Sequence, residues 1–401
     1  MSSACLYTLE PLEHGGVIAK VREVESILRR YDHDLRLLYT ATEQVPTTNA
    51  RDKINYFVQA RPRWEINCGF NGFAIPHYPL PLWLTYALPT FIASKMIRDS
   101  DIHIAVSGSN HCALPAALLK KKFVVWIGTL YEEELRGKAA AGDEWAKNLL
   151  GSLAWTMLAR EEKMIFERAA LILTNGAHTA DAVSRTFPSV ADRLRVVIYP
   201  VDTDIFKPDP TQRDPSQPYL LFTARINDSR KNVGLLFKAF AQVRSRFPNL
   251  RLILTGNKPD EAVKRSLREA NIEDAVEFVG YQTKENLVRL YQSAELFVLS
   301  SSQEGLGISM LEALACGLPV VSTKCGGPGS VITSGDNGIL VTNGDASALA
   351  DGVTELLTDP ERLKAMRARC AQFARETFSK NQVERKLLEA LRTVYAEHFA
   401  R

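Results

Sequence analysis

The chain is short of features that would commit it to several common classes. Its six cysteines in 401 residues (Cys5, Cys68, Cys112, Cys316, Cys325 and Cys370) show no C-x-x-C spacing, so neither a zinc site nor a disulfide framework is indicated. The formal net charge is only +3, too little for a nucleic-acid footprint, and no nucleic-acid partner is expected. Met1 to Glu13 lacks a basic start followed by an apolar run, so no secretory leader is expected there. The longest uncharged stretch, Tyr78 to Ser94, is broken by Pro79, Pro81 and Pro89 and is too short to span a bilayer. It reads either as packing in a first domain or as lying at a membrane surface. Reduced thiols and a cytoplasmic location fit, with the inner face of a membrane as the alternative. The dinucleotide fingerprint G-x-G-x-x-G, internal repeats and low-complexity segments are all missing.

What remains is the composition of an ordinary globular protein, 46% apolar and 24% charged. The length exceeds one core, so two domains of about 200 residues are expected. Strand-like runs alternate with helical patterns throughout. They fall at Ala4–Leu9, Leu35–Thr40, Trp64–Cys68, Ile102–Ser107, Phe123–Ile127, Ala170–Thr174 and Arg195–Ile198, then at Tyr219–Thr223, Arg251–Thr255, Val276–Val279, Leu296–Ser300, Val320–Thr323 and Gly338–Val341. That alternation predicts an α/β protein with two Rossmann-like, doubly wound parallel sheets. Phe206 to Pro218 is rich in proline and polar residues and reads as the linker between domains 1–205 and 219–380. Residues 381–401 read as an amphipathic helix, either capping the second sheet or returning to the first domain.

The most informative segment is Glu304-Gly-Leu-Gly-Ile-Ser-Met-Leu-Glu312-Ala-Leu-Ala-Cys-Gly-Leu-Pro. A buried strand ends just before it, and a helix from Ile308 to Cys316 is stopped by Gly317 and Pro319. A glycine turn leading into a helix N-terminus leaves backbone N–H groups free for an anion. Flanked by two carboxylate acceptors, such a pocket suits a phosphorylated, hydroxyl-rich ligand, with a nucleotide-sugar as the leading candidate. Cys316 and Cys325 read as small packing residues.

This segment resembles the nucleotide-sugar motif of retaining glycosyltransferases of the GT-B fold, family 4, in which two glutamates flank seven residues. The match extends through Cys-Gly-Leu-Pro-Val-Val to Gly326-Gly327, covers the second domain closely and the first loosely. It implies two Rossmann-like domains facing across a cleft and transfer of a sugar from a nucleoside diphosphate to an acceptor hydroxyl. It further implies that Glu312 accepts from the donor ribose and that Glu304 faces the transferred sugar. The amides of Gly307, Ile308 and Ser309 would hold sugar hydroxyls or phosphate oxygens. Arg225 and Lys231 match a basic pair in the family, six residues apart, that grips the leaving diphosphate; Arg230 adjoins them. With that charge in place no metal or other cofactor is expected. Asp32/Asp34, Asp99/Asp101 and Asp202/Asp204 read as surface or capping residues.

In the first domain, Gly15 and Gly16 match a glycine-rich loop over the donor phosphates, and His14 beside them is an acceptor candidate. Ser109 and His111, in Ser107-Gly-Ser-Asn-His111, are two more, with helix capping by Ser109 or Asn110 as the alternative. The family commonly has a histidine after the strand matching Phe123–Ile127. Here Gly128 and Thr129 stand there, followed by Tyr131 and Glu132 to Glu134. Rival readings are a nucleotide-sugar epimerase or sugar phosphorylase on the same fold, or a non-catalytic partner subunit.

Overall fold

The computed structural model describes residues 2–9, 16–41, 59–67, 69–78 and 80–400. Two compact units make up the chain: residues 1–135, 145–200 and 383–401 form the first, and residues 136–144 and 201–382 the second.

The first unit is built on eight strands among the described residues: β1 (Ser3–Leu9), β2 (Asp34–Thr40), β3 (Arg63–Asn67), β4 (Phe70–Ile75), β5 (Ile102–Val106), β6 (Val124–Ile127), β7 (Leu171–Thr174) and β8 (Leu194–Val196). Their order is β3-β4-β2-β1-β5-β6-β7-β8. Strands such as Val124-Val-Trp-Ile127 are buried at every position, as a sheet covered on both faces requires. One expectation is corrected. The segment Phe70–Ile75 is a strand that the hydrophobic pattern did not single out, and β3 runs antiparallel to it. Only two residues separate β3 from β4, too few for a parallel crossover, and Gly69 in that connection has φ +83°.

The second unit carries β9 (Tyr219–Thr223), β10 (Arg251–Thr255), β11 (Val276–Gly280), β12 (Leu296–Leu299), β13 (Val320–Thr323) and β14 (Gly338–Val341). All run parallel, in the order β11-β10-β9-β12-β13-β14. In each sheet the winding reverses between two central neighbours, β1 and β5 in the first, β9 and β12 in the second. Open α/β sheets collect ligands outside the carboxyl ends of such a pair.

The expected linker is also corrected. The crossing falls at Val201, and residues 206–218 pack on the second unit. Phe206 is buried with its ring 6.2 Å from Tyr291. Gln292 donates to the Lys207 carbonyl at 2.7 Å, Ser293 Oγ to that of Gln212 at 2.8 Å, and Arg213 pairs with Glu295 at 2.5 Å. Prolines bar regular structure from this stretch but do not stop it from packing.

The last helix, Lys380–Val394, starts in the second unit and continues into the first. There Tyr395 Oη donates to the carbonyls of Lys122 at 2.7 Å and His103 at 3.1 Å, and the His103 amide donates to Tyr395 Oη at 3.1 Å. Phe399 sits edge-on to Tyr31 and His33. Tyr78–Ser94 packs in the first core through Tyr78, Ala93 and the partly buried Leu88 and Ile92, leaving Phe91 outward at 75% exposure. Among the described residues no helix is long and apolar enough to cross a membrane.

Candidate active site

Helix capping picks out one end of the second sheet. The helices Glu261–Ala270, Lys284–Ser293, Ala346–Leu357 and Pro360–Thr377 each begin on a side-chain cap, from Asp260, Thr283, Asp345 and Asp359. The helices that follow the two central strands do not. Val233–Arg246 starts behind Asn232 and Ile308–Ala315 behind Gly307, both in the left-handed region and without a side-chain cap. Their first amides are left for another acceptor, at the switch point between β9 and β12.

Two loops are stitched together there. After β9, Asp228 accepts from Arg230 Nε at 3.0 Å and from its second nitrogen, Nη2, at 2.7 Å. After β12, Gln303 accepts from Arg230 Nη1 at 3.1 Å. The Arg230 carbonyl takes the Ser302 amide at 2.7 Å, and the Lys231 carbonyl takes Ser300 Oγ at 2.9 Å. Burial raises the Asp228 carboxyl, but the Arg230 fork, Lys231 and Arg225 outweigh it and bring the value down to about 2.

This framework places the predicted residues. Lys231 Nζ donates to Glu304 Oε1 at 2.5 Å, and Ser301 Oγ donates to the same oxygen at 2.7 Å. The Lys231 and Glu304 side chains are 16% and 10% exposed. The Glu304 main chain is fixed as well: its amide donates to the Cys325 carbonyl at 2.8 Å, and its carbonyl accepts from Gly327 at 2.9 Å. Position 327 admits only glycine, because a Cβ would lie 2.4 Å from Leu306 Cα. Arg225 differs from Lys231. Its side chain is 68% exposed and reaches Asp228 only at 3.3 Å, so it is an exposed cation, while Arg230 is the buried one. Gly307, Ile308 and Ser309 open the uncapped helix. Glu312, one turn in, accepts from Tyr291 Oη at 2.9 Å. Desolvation pushes its carboxyl up to about 7.

The first unit gives a different outcome. His14 and Gly15 lie outside the described residues, and Gly16 is the first residue of the helix Gly16–Arg30. His111 is fully buried, with Nε2 against the Leu158 carbonyl at 3.1 Å and its ring stacked 4.9 Å from Tyr86 and edge-on to Tyr131. Burial lowers its pKa to about 4. This corrects its assignment to the acceptor: it is a core residue, held neutral by desolvation. Ser109 is nearly buried, and Asn110 spans to the Glu162 carbonyl at 3.0 Å; neither caps a helix. Gly128 and Thr129 donate to the Gly108 carbonyl at 2.9 and 3.0 Å.

Sequence reasoning missed Asp228, Ser301, Gln303 and Tyr291. The acidic residue three positions after Arg225 was a usable signal for the first; Tyr291 comes from a separate helix and had none.

The sequence profile described as glycosyl transferases group 1 matches residues 204–377. A GDP-mannose-dependent α-(1-6)-phosphatidylinositol monomannoside mannosyltransferase of Mycolicibacterium smegmatis is 27% identical over 316 residues, 74% of this chain and 78% of that protein. Among solved structures, sucrose-phosphate synthase from Thermosynechococcus elongatus superposes with a TM-score of 0.78 at 19% identity, covering 99% of this chain and all of that one. HepE of Anabaena, solved with UDP and glucose, gives 0.71 at 17% identity over 98% of this chain and all of that one.

Proposed function

We propose that the chain, with its GT-B fold and its match to glycosyl transferases group 1 at residues 204–377, is a retaining glycosyltransferase that uses a nucleoside-diphosphate-sugar. The observation that carries the donor class is the Lys231–Glu304 pair beside two uncapped helix N-termini at the switch point of the second sheet.

The chemistry follows from charge. When the bond between the anomeric carbon and the diphosphate breaks, negative charge develops on the leaving phosphate. Lys231 supplies a cation already fixed by Glu304, whose carboxylate is itself held by Ser301, so little reorganisation is needed at that moment. Arg225, loosely held, swings its planar fork onto phosphate oxygens. The amides of Gly307, Ile308 and Ser309 add donors along the helix axis. Glu312 accepts from the ribose hydroxyls, and Glu304 keeps its other carboxylate oxygen for a hydroxyl of the sugar. An acceptor hydroxyl then attacks on the face the diphosphate leaves: its oxygen bonds to the anomeric carbon, its proton passes to a phosphate oxygen, and the nucleoside diphosphate departs. Configuration is retained, and the step needs no metal. For the acceptor, His14 and Ser109 are the remaining candidates.

The relatives' names narrow the first trials to GDP-mannose and UDP-glucose as donors, with an inositol-containing lipid or a sugar phosphate as acceptor. A donor that binds raises the melting temperature according to RT ln(1 + [L]/Kd). A panel of nucleotide-sugars in a thermal-shift assay, followed by proton NMR of the product, tests both halves. No stabilisation by any nucleotide-sugar would end the donor assignment. A product with inverted anomeric configuration would end the retaining one.

A further inference from the structure

The amino-terminal edge of the second sheet, opposite Lys231 and Glu304, carries a cavity of about 570 Å³. It lies below β9, β10 and β12, between Pro218, Leu250 and Glu295, the residues just before those strands, and the first turns of the helix Pro360–Thr377. One strand length, roughly 13 Å for four residues, separates it from the carboxyl edge. Its volume falls within the range of small-molecule sites, about 300–1,000 Å³.

The lining charge is unbalanced. Arg213, Arg246, Lys364 and Arg367 face two carboxylates, Glu295 and Glu361. Glu295 is shared by two guanidinium groups, Arg213 at 2.5 Å and Arg367 at 3.2 Å. Arg246 and Lys364 are exposed and make no ion pair among the described residues. Arg367 is most deeply set, with one nitrogen on the carbonyls of Ala294 and Glu295 at 3.0 and 2.7 Å. Burial first, and Arg213 beside it second, lower its pKa to about 10. A buried cation with a like charge next to it gains from an added anion. Apart from Asn249 the remaining wall is apolar, with Phe247, Pro248, Leu250, Leu357 and Leu363 in it.

We propose that this cavity is a binding site for a small organic phosphate that carries a flat apolar ring, distinct from the donor end of the sheet. Two cations in excess match the charge of a phosphate monoester near neutral pH, which approaches −2. Arginine forks hold phosphate oxygens in pairs. The ring lies along Phe247 and the aliphatic wall, where offset stacking and area burial both contribute.

Phenyl phosphate is the probe, titrated calorimetrically into the full chain in phosphate-free buffer at pH 7.5. Inorganic phosphate and phenol serve as single-feature comparisons. Saturable binding is expected with Kd below about 1 mM, at least about tenfold tighter than either fragment. The double variant R246S/K364S changes two exposed side chains, and far-ultraviolet circular dichroism checks its fold; it should weaken phenyl phosphate about tenfold or more. Lys231→Ala should leave that affinity within about twofold. No saturable binding overturns the proposal. So does binding that survives R246S/K364S but is lost in Lys231→Ala, which would put the probe at the donor end and leave the donor reading standing. Equal affinity for inorganic phosphate overturns the ringed ligand class.

Discussion

The two sheets reverse their winding in the same way, yet the polar groups at the two switch points are of opposite kinds. After β9 and β12 the side chains are charged, reciprocally paired and partly open: Lys231 on Glu304, Arg230 on Asp228, with Arg225 exposed. After β5 they are neutral, buried and partly unpaired. Ser107, Asn110 and His111 have no exposure, and Ser107 Oγ, Asn110 Oδ1 and His111 Nδ1 lack a hydrogen-bond partner among the described residues. Lys20 there is itself buried, donating to the carbonyls of Ser107 at 2.9 Å and Trp126 at 3.3 Å, and burial lowers its pKa to about 7. One switch point is organised to receive charge; the other is organised to keep the strand ends in place.

The sharpest break of that comparison is Lys231→Ala. Turnover should fall about 10²-fold or more, the cost of losing a preorganised electrostatic donor. Unfolding by denaturant should also show a loss of about 3 kcal/mol, because Glu304 is left half of a broken, mostly buried pair. A folded variant with near-normal turnover would move the chemistry away from β9 and β12.

Glu312→Gln tests the same switch point through pH. The carboxyl titrates near 7 in the folded chain, above its ordinary value of about 4.3. The folded state therefore keeps a proton that the unfolded state has released, and this group's contribution to stability falls as pH climbs from about 4.3 to 7 and is flat above. Donor binding runs the other way, since the ionised carboxylate is the better acceptor for ribose hydroxyls. Affinity for an active nucleotide-sugar should rise about tenfold from pH 6 to pH 8 and should be flat in Glu312→Gln. Calorimetry at the two pH values decides; an unchanged wild-type affinity would remove Glu312 from the ribose.

Gly327→Ala probes the backbone that carries Glu304. A Cβ 2.4 Å from Leu306 Cα forces the two loops apart, at a cost of about 1–3 kcal/mol, and turnover should drop with the melting temperature. Retained activity at a lowered melting temperature would mean the Glu304 loop tolerates the shift.

The smallest kinetic effect is expected at His111→Gln. Stability should fall by about 1–3 kcal/mol through a disturbed buried hydrogen bond, while the acceptor KM stays within about twofold. A large rise in acceptor KM with stability unchanged would put His111 back at a substrate and erase the contrast between the sheets.

How legible each region was in the sequence follows from the same contrast. The strand runs of the second unit, Tyr219–Thr223 through Gly338–Val341, stand out because a covered parallel sheet demands continuous apolar segments. The Glu304 to Glu312 spacing is local, fixed by one turn and one helix. Burial is not local: nothing in Ser107-Gly-Ser-Asn-His111 announces that Tyr86, Tyr131 and the helix Leu153–Arg168 will close over the histidine. β4 was hidden because Phe70-Asn-Gly-Phe-Ala-Ile75 lacks both clean alternation and a continuous apolar run. The proline-rich stretch 206–218 misled because composition reports backbone restriction, whereas its packing depends on Tyr291, Gln292 and Glu295 far along the chain.

The route of the last helix bears on the order in which the protein is made. The first unit includes residues 383–401, and Leu387, Leu391 and Phe399 are fully shielded from solvent. A ribosome that has finished Pro200 must still add the whole of 201–382 before that piece emerges, roughly 10–40 s at about 5–20 residues per second. During that interval the nascent first sheet lacks the tyrosine that bridges His103 and Lys122 and the phenylalanine between Tyr31 and His33. The second unit, by contrast, has every residue it needs as soon as Gln382 clears the exit tunnel. A chain that stops between residues 383 and 400 therefore damages the unit that was synthesised first, and the unit begun earlier is completed after the one begun later.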